Sequence, residues 1–85
     1  MKVLYKDKFE KKFKKLNLKI QEHFYERLEI FIINRYHPIL NNHYVGKKFP
    51  GCRSINITGN YRAIFEDLGE IINFVIIGTH SELYK

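Results

Sequence analysis

The chain has 85 residues, of which 45% are hydrophobic types and 28% charged, with a net charge of +6 and a single cysteine. A chain of this length makes one domain, residues 1–85, that buries only about 60–65% of its unfolded surface. This argues against a multi-domain enzyme, a nucleotide-binding βαβ architecture or a large cofactor cavity. The lone Cys52 leaves no intrachain disulfide framework and no thiolate metal cluster, which suits a reducing cytosol.

Met1 to Lys6 is too short and too charged for the apolar core of a secretion signal, and Val3-Leu4-Tyr5 reads as a first strand. Phe9, Phe13 and Leu16 then recur at helical spacing with Lys11, Lys12, Lys14 and Lys15 between them, which predicts a basic amphipathic helix. Asn17 is a break and cap. From Leu18 to about Arg35 the positions Ile20, Phe24, Leu28, Phe31 and Ile32 keep the same period, so an αα-hairpin is expected. His37-Pro38 closes the second helix, because the residue before proline avoids the helical region.

Beyond the connector Ile39 to Asn42 the period changes to two and glycine becomes the punctuation. His43 to Phe49 reads as a strand, Pro50-Gly51 as a turn, Arg53 to Thr58 and Tyr61 to Glu66 as strands, Asp67-Leu68-Gly69 as a hairpin turn, and Glu70 to Ile77 as an apolar central strand. Gly78 opens a short closing segment, Thr79 to Lys85. The expected fold is α+β: an amino-terminal strand, the helical hairpin, then a three-stranded antiparallel meander completing one four-stranded sheet. The helices cover one face, bearing either the Phe74 and Ile76 set or the opposite one. The other face is left for chemistry. No apolar run approaches the ~20 residues of a membrane span, and the chain is expected to be soluble and cytoplasmic.

The positive charge is uneven. Residues 1–19 alone sum to +6, and within residues 46–62 Lys47, Lys48, Arg53 and Arg62 meet no acid. A polyanion such as RNA, or an acidic protein partner, is the natural complement, with a solvated lysine-rich helix as the plain alternative. His43 and His80 each flank an apolar strand. A pair of imidazoles brought together can serve RNA cleavage as base and acid, one taking the ribose 2′-hydroxyl proton and the other protonating the departing 5′-oxygen. Arg53 and Arg62 are candidates for the charge that grows on phosphorus, because a guanidinium fork matches phosphate geometry. Taken singly, a histidine after a strand is more commonly a surface or capping residue. No metal site is expected, since His37 and His43 lack nearby carboxylates, and no cofactor is implied.

Three strings resemble the RelE/ParE toxin superfamily, and most closely its RelE/StbE subgroup, which includes the YafQ toxins. They are Leu40-Asn-Asn-His43, Gly51-Cys-Arg53-Ser-Ile-Asn56-Ile-Thr-Gly-Asn60-Tyr-Arg62-Ala-Ile-Phe, and Ile77-Gly-Thr-His80-Ser-Glu-Leu-Tyr84. The basic helical hairpin fits too, so the likeness spans nearly the whole chain. It implies a type II toxin acting as a ribosome-dependent mRNA interferase, an endoribonuclease that cuts mRNA in the ribosomal A site without a metal. It also implies a cognate antitoxin with an acidic or amphipathic segment. By position, His43 and His80 match the family's histidines, Tyr84 its terminal aromatic that stacks on or orients a base, and Arg53 a basic position on the second sheet strand.

The chain departs from YafQ-like members at Asn56 and Asn60, which stand where those members carry a histidine and an aspartate. Asparagine exchanges no proton, though it can hydrogen-bond RNA. Proton transfer is therefore expected from His43 and His80, helped by Tyr84. RNA contacts are expected from Lys47, Lys48, Arg53, Asn56, Asn60 and Arg62. Two other readings stay open: a binding toxin of the ParE type that inhibits DNA gyrase, and a degenerate toxin kept as an antitoxin-binding co-repressor.

Overall fold

The helical hairpin follows from the Asn17 cap and from apolar stripes on both helices. In the computed structural model, which describes all 85 residues, β1 (Lys2–Tyr5) leads into α1 (Asp7–Lys14) and α2 (Leu18–Ile33). Asn17 caps α2 as expected, its side-chain oxygen accepting from the Ile20 N–H at 3.0 Å. Phe9, Phe24 and Phe31 point from these helices into the core, where they meet Phe65 and Phe74 of the sheet. The aromatic rings interlock, with Phe9–Phe74 and Phe24–Phe74 centroids 5.6 and 5.2 Å apart. α2 ends two residues before Arg35, at Ile33. The Arg35 guanidinium reaches the Asp67 carboxylate at 2.8 Å and clips the helix exit to the sheet.

The sheet has five strands rather than four, in the order β1-β5-β4-β3-β2: β2 (His43–Tyr44), β3 (Arg53–Asn56), β4 (Tyr61–Asp67) and β5 (Ile71–Thr79). β1 pairs parallel to β5 through the helical crossover, and the remaining pairs are antiparallel. The strand expected over His43–Phe49 is only two residues long. After Val45 the chain turns, with Lys48 N–H and Phe49 N–H both donating to the Val45 carbonyl, and Val45 N–H reaches the Cys52 carbonyl to close the loop. Local turn bonds thus satisfy groups that a longer strand would have left for a ladder.

The expected Phe74 and Ile76 face does not exist as one set. Ile64 pairs with Ile76 while Phe65 pairs with Phe74, so Val75 is an extra residue, a bulge that flips the phase of β5. Ile72, Phe74 and Ile77 therefore join the core beneath the helices, whereas Ile76 and Val75 pack with the smaller cluster of Cys52, Ile64 and Leu83 on the other side. The closing segment is also more ordered than its sequence suggested. It forms α3 (His80–Leu83) with a reciprocal capping box, in which Thr79 Oγ1 accepts from Glu82 N–H and Glu82 Oε1 accepts from Thr79 N–H at 2.8 Å. No helix is long and apolar enough to cross a membrane.

Candidate active site

The sheet face away from α1 and α2 carries an open cleft of about 740 Å³, bounded by β2, the turn after it, β3, β4 and α3. His43, Lys47, Lys48, Arg62, His80 and Tyr84 all line it, together with Asn41, Tyr44, Val45 and Ser54. Two histidines separated by 36 intervening residues share this surface because α3 folds back over the sheet face, where its Leu83 packs with Cys52 and Ile64, toward the strands beside His43. Three cationic side chains and no carboxylate line the cleft, so its field favours an anion. Nowhere in the chain do three His, Cys, Asp or Glu side chains converge as a metal site requires.

Each histidine is held by its backbone surroundings. Asn41 adopts a left-handed conformation, φ 48°, at the end of the Pro38–Leu40 turn, and its carbonyl lies 2.7 Å from His43 Nδ1. A carbonyl only accepts, so Nδ1 carries the proton and the neutral ring leaves Nε2 as its free lone pair. His80 opens α3, its N–H donating to the Asn60 carbonyl at 2.9 Å, and its ring lies 4.8 Å from that of Tyr84. α3 is fixed in turn by Glu82. The Lys12 ammonium from α1, then the Thr79 N–H, hold its carboxyl down at about 2.

Other side chains named from the sequence lie differently. Arg53 stands in register with the core residue Phe65, so it faces the helix side; its Nε donates to Asn42 Oδ1 at 2.8 Å and its guanidinium lies over the Tyr36 ring. Asn60 sits in an exposed bend and meets the site through its carbonyl alone. Asn56 stands in register with Arg62 beside the cleft, its Oδ1 buried without a partner. Arg62 donates to the carbonyls of Thr58 and Tyr61, at 3.0 and 3.1 Å. Ser54, buried in the cleft floor with an unpartnered hydroxyl, and Tyr44 in its wall add to the residues expected from the sequence. For Ser54 the signal was the alternation of β3, which becomes readable once Arg53 is known to face the core. Cys52 is buried, and burial pushes its thiol pKa up, so it is a packing residue.

Solved structures similar to this one bear on the fold. The chain superposes on the toxin-antitoxin complex DinJ-YafQ of E. coli with TM-score 0.69 at 19% identity, covering 98% of this chain and 96% of that one. It matches the YoeB/ParE toxin of Agrobacterium tumefaciens with TM-score 0.77 at 12% identity over 94% and 99%. It matches the RelB-RelE antitoxin-toxin complex of Methanococcus jannaschii with TM-score 0.73 at 21% identity over 95% and 94%. A search of curated protein sequences gives no match. The sequence itself fits the model of the ParE toxin of the type II toxin-antitoxin system parDE over residues 3–84. With the fold shared by YafQ, RelE and YoeB/ParE structures and a family model spanning almost every residue, the chain belongs to the ParE toxin family of type II toxin–antitoxin systems, within the RelE/ParE superfamily.

Proposed function

We propose that this toxin is an endoribonuclease that cuts mRNA in the ribosomal A site by acid–base catalysis. The observation that carries the reading is the meeting of two imidazoles with Lys47, Lys48 and Arg62 in one cleft lined by no carboxylate. His43 Nε2 takes the proton of a ribose 2′-hydroxyl, and the freed oxygen attacks the adjacent phosphorus. The bond from phosphorus to the 5′-oxygen breaks as His80 protonates that oxygen, leaving a 2′,3′-cyclic phosphate and a 5′-hydroxyl. Arg62, Lys47 and Lys48 balance the charge that accumulates on the non-bridging oxygens. Tyr84 steadies the His80 ring. Asn56 and Asn60 move no proton, so the pair of histidines carries the whole exchange.

The YafQ and RelE relatives are crystallised with DinJ and RelB, respectively. By the same logic this chain's partner is an antitoxin whose acidic or amphipathic segment lies on the lysine-rich face of α1. The matching family model, that of the ParE toxin, favours a second reading: a toxin that acts by binding, with DNA gyrase as its target, for which no catalytic pair is needed.

Expression without antitoxin, followed by mapping of mRNA ends on ribosomes, separates the two. The nuclease reading expects A-site cuts, with His80→Ala lowering the cleavage rate by about 10²–10⁴-fold while the protein stays folded. Equal cleavage by a folded His80→Ala protein, or gyrase inhibition in a supercoiling assay with mRNA intact, contradicts it.

A further inference from the structure

Base stacking was expected of Tyr84, yet that ring is already engaged. It is half-buried, 4.8 Å from the His80 ring and edge-on to Phe49 at 6.1 Å. Tyr44 lines the same cleft, is 62% exposed, and makes neither an aromatic pair nor a cation–π contact within the chain. Its presence there needs an explanation. In β2 His43 stands opposite Ser54 and Tyr44 opposite Arg53. Successive strand residues point to opposite faces, and Arg53 faces the helices, so alternation alone would turn Tyr44 away from the cleft. But β2 is the outermost strand, with no neighbour beyond it. Free of a neighbour, the ring swings round the sheet edge and lies on the backbone of Gly46.

A Cβ placed on residue 46 would overlap the Tyr44 phenol ring. The backbone of Gly46 is not left-handed, unlike that of Gly51 and Gly69, so its conformation alone would admit other residues. The ring can occupy this position only because residue 46 has no side chain; any Cβ there would push it aside. An aromatic face thus finds room at the rim of a cationic cleft, beside Lys47 and Lys48, because its neighbour has no side chain.

We infer that Tyr44, seated on Gly46, is the wall on which a nucleobase of single-stranded RNA stacks, while Lys47, Lys48 and Arg62 take its phosphates. The inference rests on the nuclease reading above and adds to it which residue grips the base. Stacking is tolerant of base identity and independent of charge, so Tyr44 contributes affinity without changing the salt dependence.

The test is equilibrium binding to a short 2′-O-methyl RNA, which resists cleavage, and to an abasic oligomer of the same length. Tyr44→Ala weakens RNA binding by about five- to a hundredfold and leaves the abasic oligomer unaffected, whereas Tyr44→Phe binds as the parent does. Gly46→Ala weakens RNA binding in the parent but adds nothing in the Tyr44→Ala background, because it acts only through the ring. Thermal melts check folding. Should Gly46→Ala unfold, the Tyr44→Ala and Tyr44→Phe pair still decides. RNA affinity unchanged in folded Tyr44→Ala, or equal loss for both oligomers, overturns the role of Tyr44 and leaves the nuclease reading standing. A parent protein that binds neither oligomer overturns the stacking role, and the mapping of mRNA ends on ribosomes then judges the nuclease reading on its own.

Discussion

Arg53 and Arg62 carry the same charge, stand on adjacent strands and were equivalent as phosphate ligands when only the sequence was considered. What separates them is strand phase. Arg62 lines the cleft, while Arg53 is held on the helix side by Asn42 and the Tyr36 ring. Arg62→Ala is expected to weaken RNA binding and lower the slope of log affinity against log salt by about one, as loss of one phosphate contact requires. Arg53→Ala is expected to leave binding alone and to cost about 1–2 kcal/mol of stability, from one charge-assisted hydrogen bond and one cation–π contact. Salt titrations and thermal melts of the two variants check this, and an interchange of the two effects contradicts it. His43 and His80 were legible from residue type and position at strand ends, Lys47 and Lys48 from the acid-free run 46–62, and Tyr84 only through the family resemblance. Arg53 was not, because parity along β3 has meaning only once one knows which face the helices cover.

At the scale of elements, the helical hairpin was legible from the spacing of its apolar residues and the Asn17 cap, since both are local in sequence. The bulge at Val75 was not, being a property of two strands whose register slips. α3 had a local signal, the Thr79-x-x-Glu82 capping pattern, but a four-residue helix is too short to show any periodicity. That helix carries His80 and leads into Tyr84, and its clamp is electrostatic. Glu82 ordinarily titrates at 4.5 and is held at about 2 in the folded chain. A depressed carboxyl stabilises the fold above its unfolded value, and this contribution is lost as pH falls from about 4.5 toward 2. Asp67 acts in the same direction: burial raises its pKa, but the Gly69 N–H and the Arg35 guanidinium outweigh that. The parent should therefore lose stability more steeply than Glu82→Gln across that acid window. Parallel curves of melting midpoint against pH would remove Glu82 from the account.

For the molecule as a whole, the division of labour between the two sheet faces explains how so short a chain can hold both a core and a site. Eleven buried residues, five of them phenylalanine, concentrate the core on the helix face. The opposite face needs only the small cluster around Ile64 and Leu83, and its remaining area is free for charged and aromatic side chains. The element order and the α+β class were legible because they follow from periodicity and punctuation. The strand read over His43 to Phe49 shrinks to the two residues of β2 and adds a fifth strand to the expected four, because so short a strand is defined by pairing and not by pattern. In the proposed reaction His43 and His80 act on one scissile nucleotide as base and acid. This assignment is tested most directly by the pH–rate profile of single-turnover cleavage on programmed ribosomes for the parent, His43→Ala and His80→Ala. The expected parent profile is bell-shaped, with a rising limb that disappears in His43→Ala and a falling limb that disappears in His80→Ala. Variants that cleave slowly but keep both limbs would contradict it.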